Sequence, residues 1–199
     1  MAGNNIYLTR YAIPKCYLDY KPNAATGLII VLPCHNEPAL LTSLVALDDC
    51  VSEHPVEIIV VINASTAASE EVKLQNINSY NAAVEWLRNK KESNKHFHLI
   101  LENELPKKHA GVGLARKIGM DEAVRMFEAI DKPNGVILCF DADCTCEQNL
   151  LTEVSDFFDK SPASPGCSIN FEHPLSGELD GPVYKAITFY EMHLRYYVD

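Results

Sequence analysis

The 199 residues carry 27 acidic and 17 basic side chains, a formal net charge of −10, and no basic run longer than Lys90-Lys91 or Lys107-Lys108. Nucleic acid and anionic membrane surfaces are held through clustered Lys and Arg, so neither is expected as a partner. Hydrophobic residues at 47% and charged residues at 22% fit a soluble globular chain with one sizeable core.

Met1 to Arg10 has no basic start followed by an apolar core, so no signal peptide is read there. The longest apolar runs, Gly27 to Pro33 and Val56 to Ile62, are too short to span a bilayer. Seven cysteines, several inside apolar segments, fit small core residues and a reduced, cytoplasmic setting better than a disulfide scaffold.

Residues 1–26 form a polar and aromatic lead-in without clear periodicity. Residues 27–199 read as one domain in which strands and helices alternate. Leu28 to Leu32 is a continuous apolar run, as for a strand buried on both faces, and Pro33 ends it. Pro38 suits the first turn of a helix with Leu41, Leu44, Val45 and Val51 as its stripe. Val56 to Ile62 is a second buried strand, rich in β-branched residues.

Ser69, followed by Glu70 and Glu71, marks a helix start. Its buried face is expected at Val72, Ile77, Tyr80, Val84 and Leu87. Phe97 to Leu101 predicts a third strand. Gly113 to Ala129 predicts a helix with Leu114, Ile118, Val124 and Phe127 inward. Asp131 to Gly135 is a turn, and Val136 to Phe140 a fourth strand. Leu150, Val154, Phe157 and Phe158 mark a helix. Cys167 to Phe171 suggests a fifth strand and Val183 to Val198 a last helix.

This alternation implies an α/β, Rossmann-like fold, a mostly parallel sheet with helices on both faces. Such sheets bind ligands just beyond the carboxyl ends of their strands, near a switch in strand order. Four segments occupy those positions. Asp141-Ala142-Asp143 follows the fourth strand, and two carboxylates so spaced can converge on one hard cation that keeps sites for phosphate and water. The plain alternative is a solvated acidic turn. Pro33-Cys34-His35-Asn36-Glu37-Pro38 crowds polar groups after the first strand, where Asn36 could also cap the next helix.

Asn63-Ala64-Ser65-Thr66 follows the second strand. The Asn63 amide suits the edge of a nucleobase, although in isolation a capping turn is the better account. Gly111-Val112-Gly113-Leu114-Ala115-Arg116 opens a helix, and helix starts favour anions. The third glycine of a dinucleotide fingerprint is missing, and Arg116 faces either phosphate or solvent.

Together the four segments resemble the family 2 glycosyltransferases of the glycosyltransferase A fold. Pro33 to Glu37 matches that family's Pro-x-x-Asn-Glu, and Ile62 to Thr66 stands at its Asp-Asp-Gly-Ser-Thr-like turn. Gly111 to Arg116 matches its Gly-x-x-x-Ala-Arg in part, and Asp141 to Asp143 its Asp-x-Asp. The resemblance implies a metal-dependent, inverting transfer of a sugar from a UDP- or GDP-type donor to an unknown acceptor. It assigns the donor to Pro33, His35, Asn36, Glu37, Asn63, Ser65, Arg116 and Asp141. It assigns Mn2+ or Mg2+ to Asp143 with Asp141.

The acidic pair of the turn is replaced by Ile62 and Asn63, and Lys117 stands where the family commonly has Asn. After Asp143 no acid falls in a motif matching the family's catalytic base, and Tyr184 to Asp199 ends in mid-helix. The domain is therefore expected to be incomplete at its C-terminus. A sugar-phosphate nucleotidyltransferase is the second enzyme class weighed, but the first strand lacks its glycine-rich basic loop. A non-catalytic nucleotide-binding module is the third. His96 and His98 fit one strand face, and Trp86 helix packing. Cys144 and Cys146 alone make a poor soft-metal site. Glu172-His173 and Glu178 to Asp180 fit a surface loop better than an acceptor cleft.

Overall fold

The structure, a computed structural model, describes residues 5–196. Residues 1–4 and 197–199 lie outside the described residues, and with them the expected helix end at Val198 and the acid Asp199. Two compact units divide the chain, Met1–Lys160 and Ser161–Asp199.

In the first unit, β1 (Leu28–Cys34), β2 (Val56–Ser65), β3 (Lys95–Leu105) and β4 (Val136–Cys139) form one all-parallel sheet in the order β3-β2-β1-β4. β1 is buried along its whole length and β2 everywhere but Ser65. That burial accounts for their unbroken apolar sequences, because helices cover both faces of a parallel sheet. The chain builds outward from β1 to β3, then crosses back to place β4 on the other side of β1. The carboxyl ends of β1 and β4 therefore flank the switch in strand order.

Helices α2 (Leu40–Asp48), α3 (Glu70–Asn89) and α5 (Leu150–Lys160) pack on one face, over Leu28, Ile30, Leu32, Ile58, Val60 and Ile62. Helix α4 (Val112–Ala129) covers the other, over Ile29, Val31, Ile59 and Val61. Ser69 caps α3 as expected, accepting from the Val72 N–H.

Three expected stripes shift. In α2 the buried residues are Leu40, Ser43, Leu44 and Leu47, whereas Val45 is exposed, and Val51, also exposed, lies beyond the helix end. The helix is entered one residue before the expected stripe. In α4 Val124 is only half-buried, and Ala115, Ile118, Gly119, Ala123, Met126 and Phe127 make the contact. The small residues bring this helix close to the sheet: a Cβ on Gly119 would meet Val31 Cγ1 at 2.4 Å. In α3 the buried residues are Asn76, Ser79 and Ala83, and Ile77 is exposed. This inward face is polar because it holds loops, as shown below.

The lead-in has more structure than its sequence suggests. Asn5 caps a short helix, α1 (Ile6–Arg10). The segment is anchored to α4 by two buried acids. Asp121 accepts from Tyr7 Oη, Ile13 N–H and Lys117 Nζ. Glu122 accepts from Tyr17 N–H, Leu18 N–H and Arg125.

In the second unit, α6 (Gly181–Tyr196) is the one regular element among the described residues. The expected strand at Cys167 to Phe171 does not form. The segment is exposed, and its unit offers no strand among the described residues to pair with it.

Candidate functional site

A cavity of about 340 Å³ lies at the switch point, lined by Pro33, His35, Glu37, Arg116, Asp141 and Asp143, with Val112 from the start of α4. Three elements bring these groups together. The residues after β1 supply Pro33 to Glu37, the first turns of α4 supply Val112 and Arg116, and the turn after β4 supplies the two aspartates. That turn is closed by Cys144 N–H donating to the Asp141 carbonyl at 3.2 Å. Ser43 Oγ of α2, 2.7 Å from the carbonyls of both Ala142 and Cys144, fixes it from below.

Arg116 Nη2 donates to Asp141 Oδ1 at 2.8 Å. Its Nε is buried without a partner. Such an unpaired donor is costly to bury, on the order of 1–3 kcal/mol. Gly111 precedes α4 at φ 144°, a region glycine favours, and no side chain caps the free N–H groups of the helix start.

His35 Nδ1 lies 2.7 Å from the main-chain carbonyl of Asn63. A carbonyl only accepts, so Nδ1 carries the proton and Nε2 is left as the acceptor. Asn36 adopts φ 53°, a conformation Asn tolerates better than most residues. It caps no helix. Ahead of α2 the Ala39 N–H donates instead to Glu37 Oε1 at 2.7 Å. Asn63 lies behind the lining, 1% exposed, with its Oδ1 unpartnered. Ser65 Oγ accepts from Ala67 N–H within its own turn. The cavity thus gathers Pro33, His35, Glu37, Arg116, Asp141 and Asp143, and leaves Asn36, Asn63 and Ser65 outside its lining.

The sequence reading missed Asn76 and Ser79. Asn76 is fully buried, and its amide joins three strand ends. Oδ1 accepts from Asn36 N–H at 2.9 Å, and Nδ2 donates to the Asn63 carbonyl and to Asn103 Oδ1, each at 2.9 Å. Ser79 Oγ donates to the Glu37 carbonyl at 2.7 Å. Two small polar residues three apart on the inward stripe of a helix were the available signal.

The thiols nearby are harder to ionise than a free cysteine. Burial, then the Glu37 charge, pushes Cys34 up to about 12. Burial and Asp143 raise Cys144. Among the described residues no group of three or more His, Cys, Asp or Glu gathers to hold a metal alone. The available donor set is two carboxylates at one cavity edge. This suits a hard cation that takes its remaining ligands from phosphate and water. His96 and His98 lie away from it, both on the buried Glu57 carboxylate. Trp86 packs edge-on to Phe97.

A parallel sheet with a polar cleft at its switch point defines an α/β, Rossmann-like domain. The comparison with protein families specifies which one: the model of Glycosyl transferase family 2 matches residues 29–170. The chain belongs to that family and carries a glycosyltransferase domain. None of the curated proteins compared with the chain matches it. Among the described residues, no helix is long and apolar enough to cross a membrane.

Proposed function

We propose that this domain binds a UDP- or GDP-type nucleoside diphosphate sugar together with Mn2+ or Mg2+, for inverting sugar transfer. The observation that carries the reading is Arg116. Its side chain lines one cavity with Asp141, Asp143 and Val112 at the uncapped start of α4. A guanidinium beside a helix start suits a diphosphate, and two carboxylates at the same cavity suit its cation.

Asp143 and Asp141 are the residues that would hold the cation. When bound, it supplies Lewis-acid neutralisation of the departing diphosphate. Arg116 and the first N–H groups of α4 orient the same phosphates. His35, held by the Asn63 carbonyl, presents Nε2 as an acceptor for a donor hydroxyl. Inversion requires an acid to deprotonate the acceptor hydroxyl, and no residue of this chain is assigned that role.

Calorimetry with UDP and GDP, in manganese and in chelator, tests the reading. Affinity is expected to rise in manganese and to lose that dependence in Asp143→Ala, whose melting temperature stays near that of the parent. Equal affinity in manganese and chelator, or an Asp143→Ala variant that still responds to the metal, rejects it.

A further inference from the structure

We infer that Cys50 and Cys146 form a redox modification site, a thiol pair that a low-molecular-weight disulfide converts into a reversible bridge between the residues just after α2 and the loop carrying Asp141 and Asp143. Their sulfurs lie 3.5 Å apart, although the residues are 96 positions apart in sequence. The two segments are already tied together. Val51 N–H donates to the Gln148 carbonyl at 2.7 Å, and Cys50 N–H to that of Leu47 at 3.3 Å. Cys50 Sγ also lies 3.6 Å from the Glu147 carbonyl. Bridging needs the sulfurs to approach by about 1.5 Å, to the bond length of about 2.05 Å.

The two sulfurs differ in access. Cys50 is buried against the core, whereas Cys146 is half-buried at its edge. The Cys146 S–H donating to it holds Cys50 below its ordinary value, while Cys146 itself is pushed up. Once the pair has lost one proton to water, the remaining proton favours Cys146, and the reacting form is the minor one in which it sits on Cys50 and the more accessible Cys146 is the thiolate. Cys146 then attacks one sulfur of glutathione disulfide, forming a mixed disulfide and releasing one glutathione thiolate. Cys50 gives its proton to water and attacks Cys146 Sγ, breaking the mixed disulfide and releasing the second. Two protein thiols are oxidised, and one small disulfide is reduced to two thiols.

The bridge closes a long loop, which restricts the unfolded chain and stabilises the folded one. It also pins the aspartate loop to the residues just after α2. The 199-residue chain treated with glutathione disulfide, then alkylated under denaturing conditions and mapped by mass spectrometry, tests this. The expected result is a peptide linking Cys50 to Cys146, two hydrogens lighter than its parts. Dithiothreitol should reverse it, and a raised melting temperature should accompany it. Cys144→Ser should keep the link, and Cys146→Ser should lose both the link and the shift. Glutathione resting on Cys146 with Cys50 still free to alkylate, a link from Cys146 to Cys144, or no link at all overturns the inference.

Discussion

Arg116 concentrates the chemistry of the cleft in one side chain. One nitrogen is spent on Asp141, and Nε–H is buried with no acceptor. The ion pair is half-exposed, so it adds little to stability. Arg116→Ala is therefore expected to leave the ligand-free fold nearly as stable as before. Its cost should fall on the complex, roughly 1.5–3 kcal/mol of nucleoside diphosphate affinity, as for hydrogen bonds to charged groups. Arg116→Lys should recover only part of this, because an ammonium lacks the planar fork that grips two phosphate oxygens. Calorimetry in manganese measures both. Full affinity in Arg116→Ala would return the residue to a surface role.

The central strands were legible because parallel strands under helices must be apolar on both faces, as Leu28 to Leu32 and Val56 to Ile62 are. The aspartate turn and the Pro33 to Glu37 loop were legible because strand ends locate the cleft. Helix α3 was misread for a physical reason. Asn76 and Ser79 look like a solvated face, yet their hydrogen bonds are spent on Asn36, Glu37, Asn63 and Asn103. A pattern rule that seeks apolar contact cannot find a helix whose inward task is to hold loops. Cys167 to Phe171 failed in the opposite way, since alternation predicts a strand without supplying its neighbour. Asn76→Ala should leave Asn36 N–H without its acceptor and cost about 1–3 kcal/mol in urea unfolding. Nucleotide affinity should fall with it, because the loops of β1 and β2 lose their shared tie. A variant with unchanged unfolding and unchanged affinity would show that the loops hold their shape alone.

Across the first unit, buried carboxylates make the lead-in part of the fold. Burial pushes Asp121 up, but the Ile13 N–H, Lys117 and Tyr7 outweigh it and hold the carboxyl below its ordinary value. Glu102 follows the same course, raised by burial and lowered further by Lys15 and Tyr17. Both acids grip residues of the segment from Tyr7 to Tyr17. A depressed carboxyl stabilises the folded state fully above its unfolded pKa, about 4 for Asp and Glu. The contribution is lost as pH falls through the lower folded value, when the proton taken up breaks the anchor. Stability should therefore decline from about pH 4 downward, with the lead-in leaving α4 early in the transition. Asp121→Asn removes the titrating group and the charge that pairs with Lys117. It should be less stable at neutral pH, and its stability should vary less with pH below 4 than that of the parent. Denaturant unfolding of both chains at a series of pH values measures this. Two curves that run parallel, offset but equally steep in acid, would show that Asp121 contributes packing and hydrogen bonds without the proton linkage argued here.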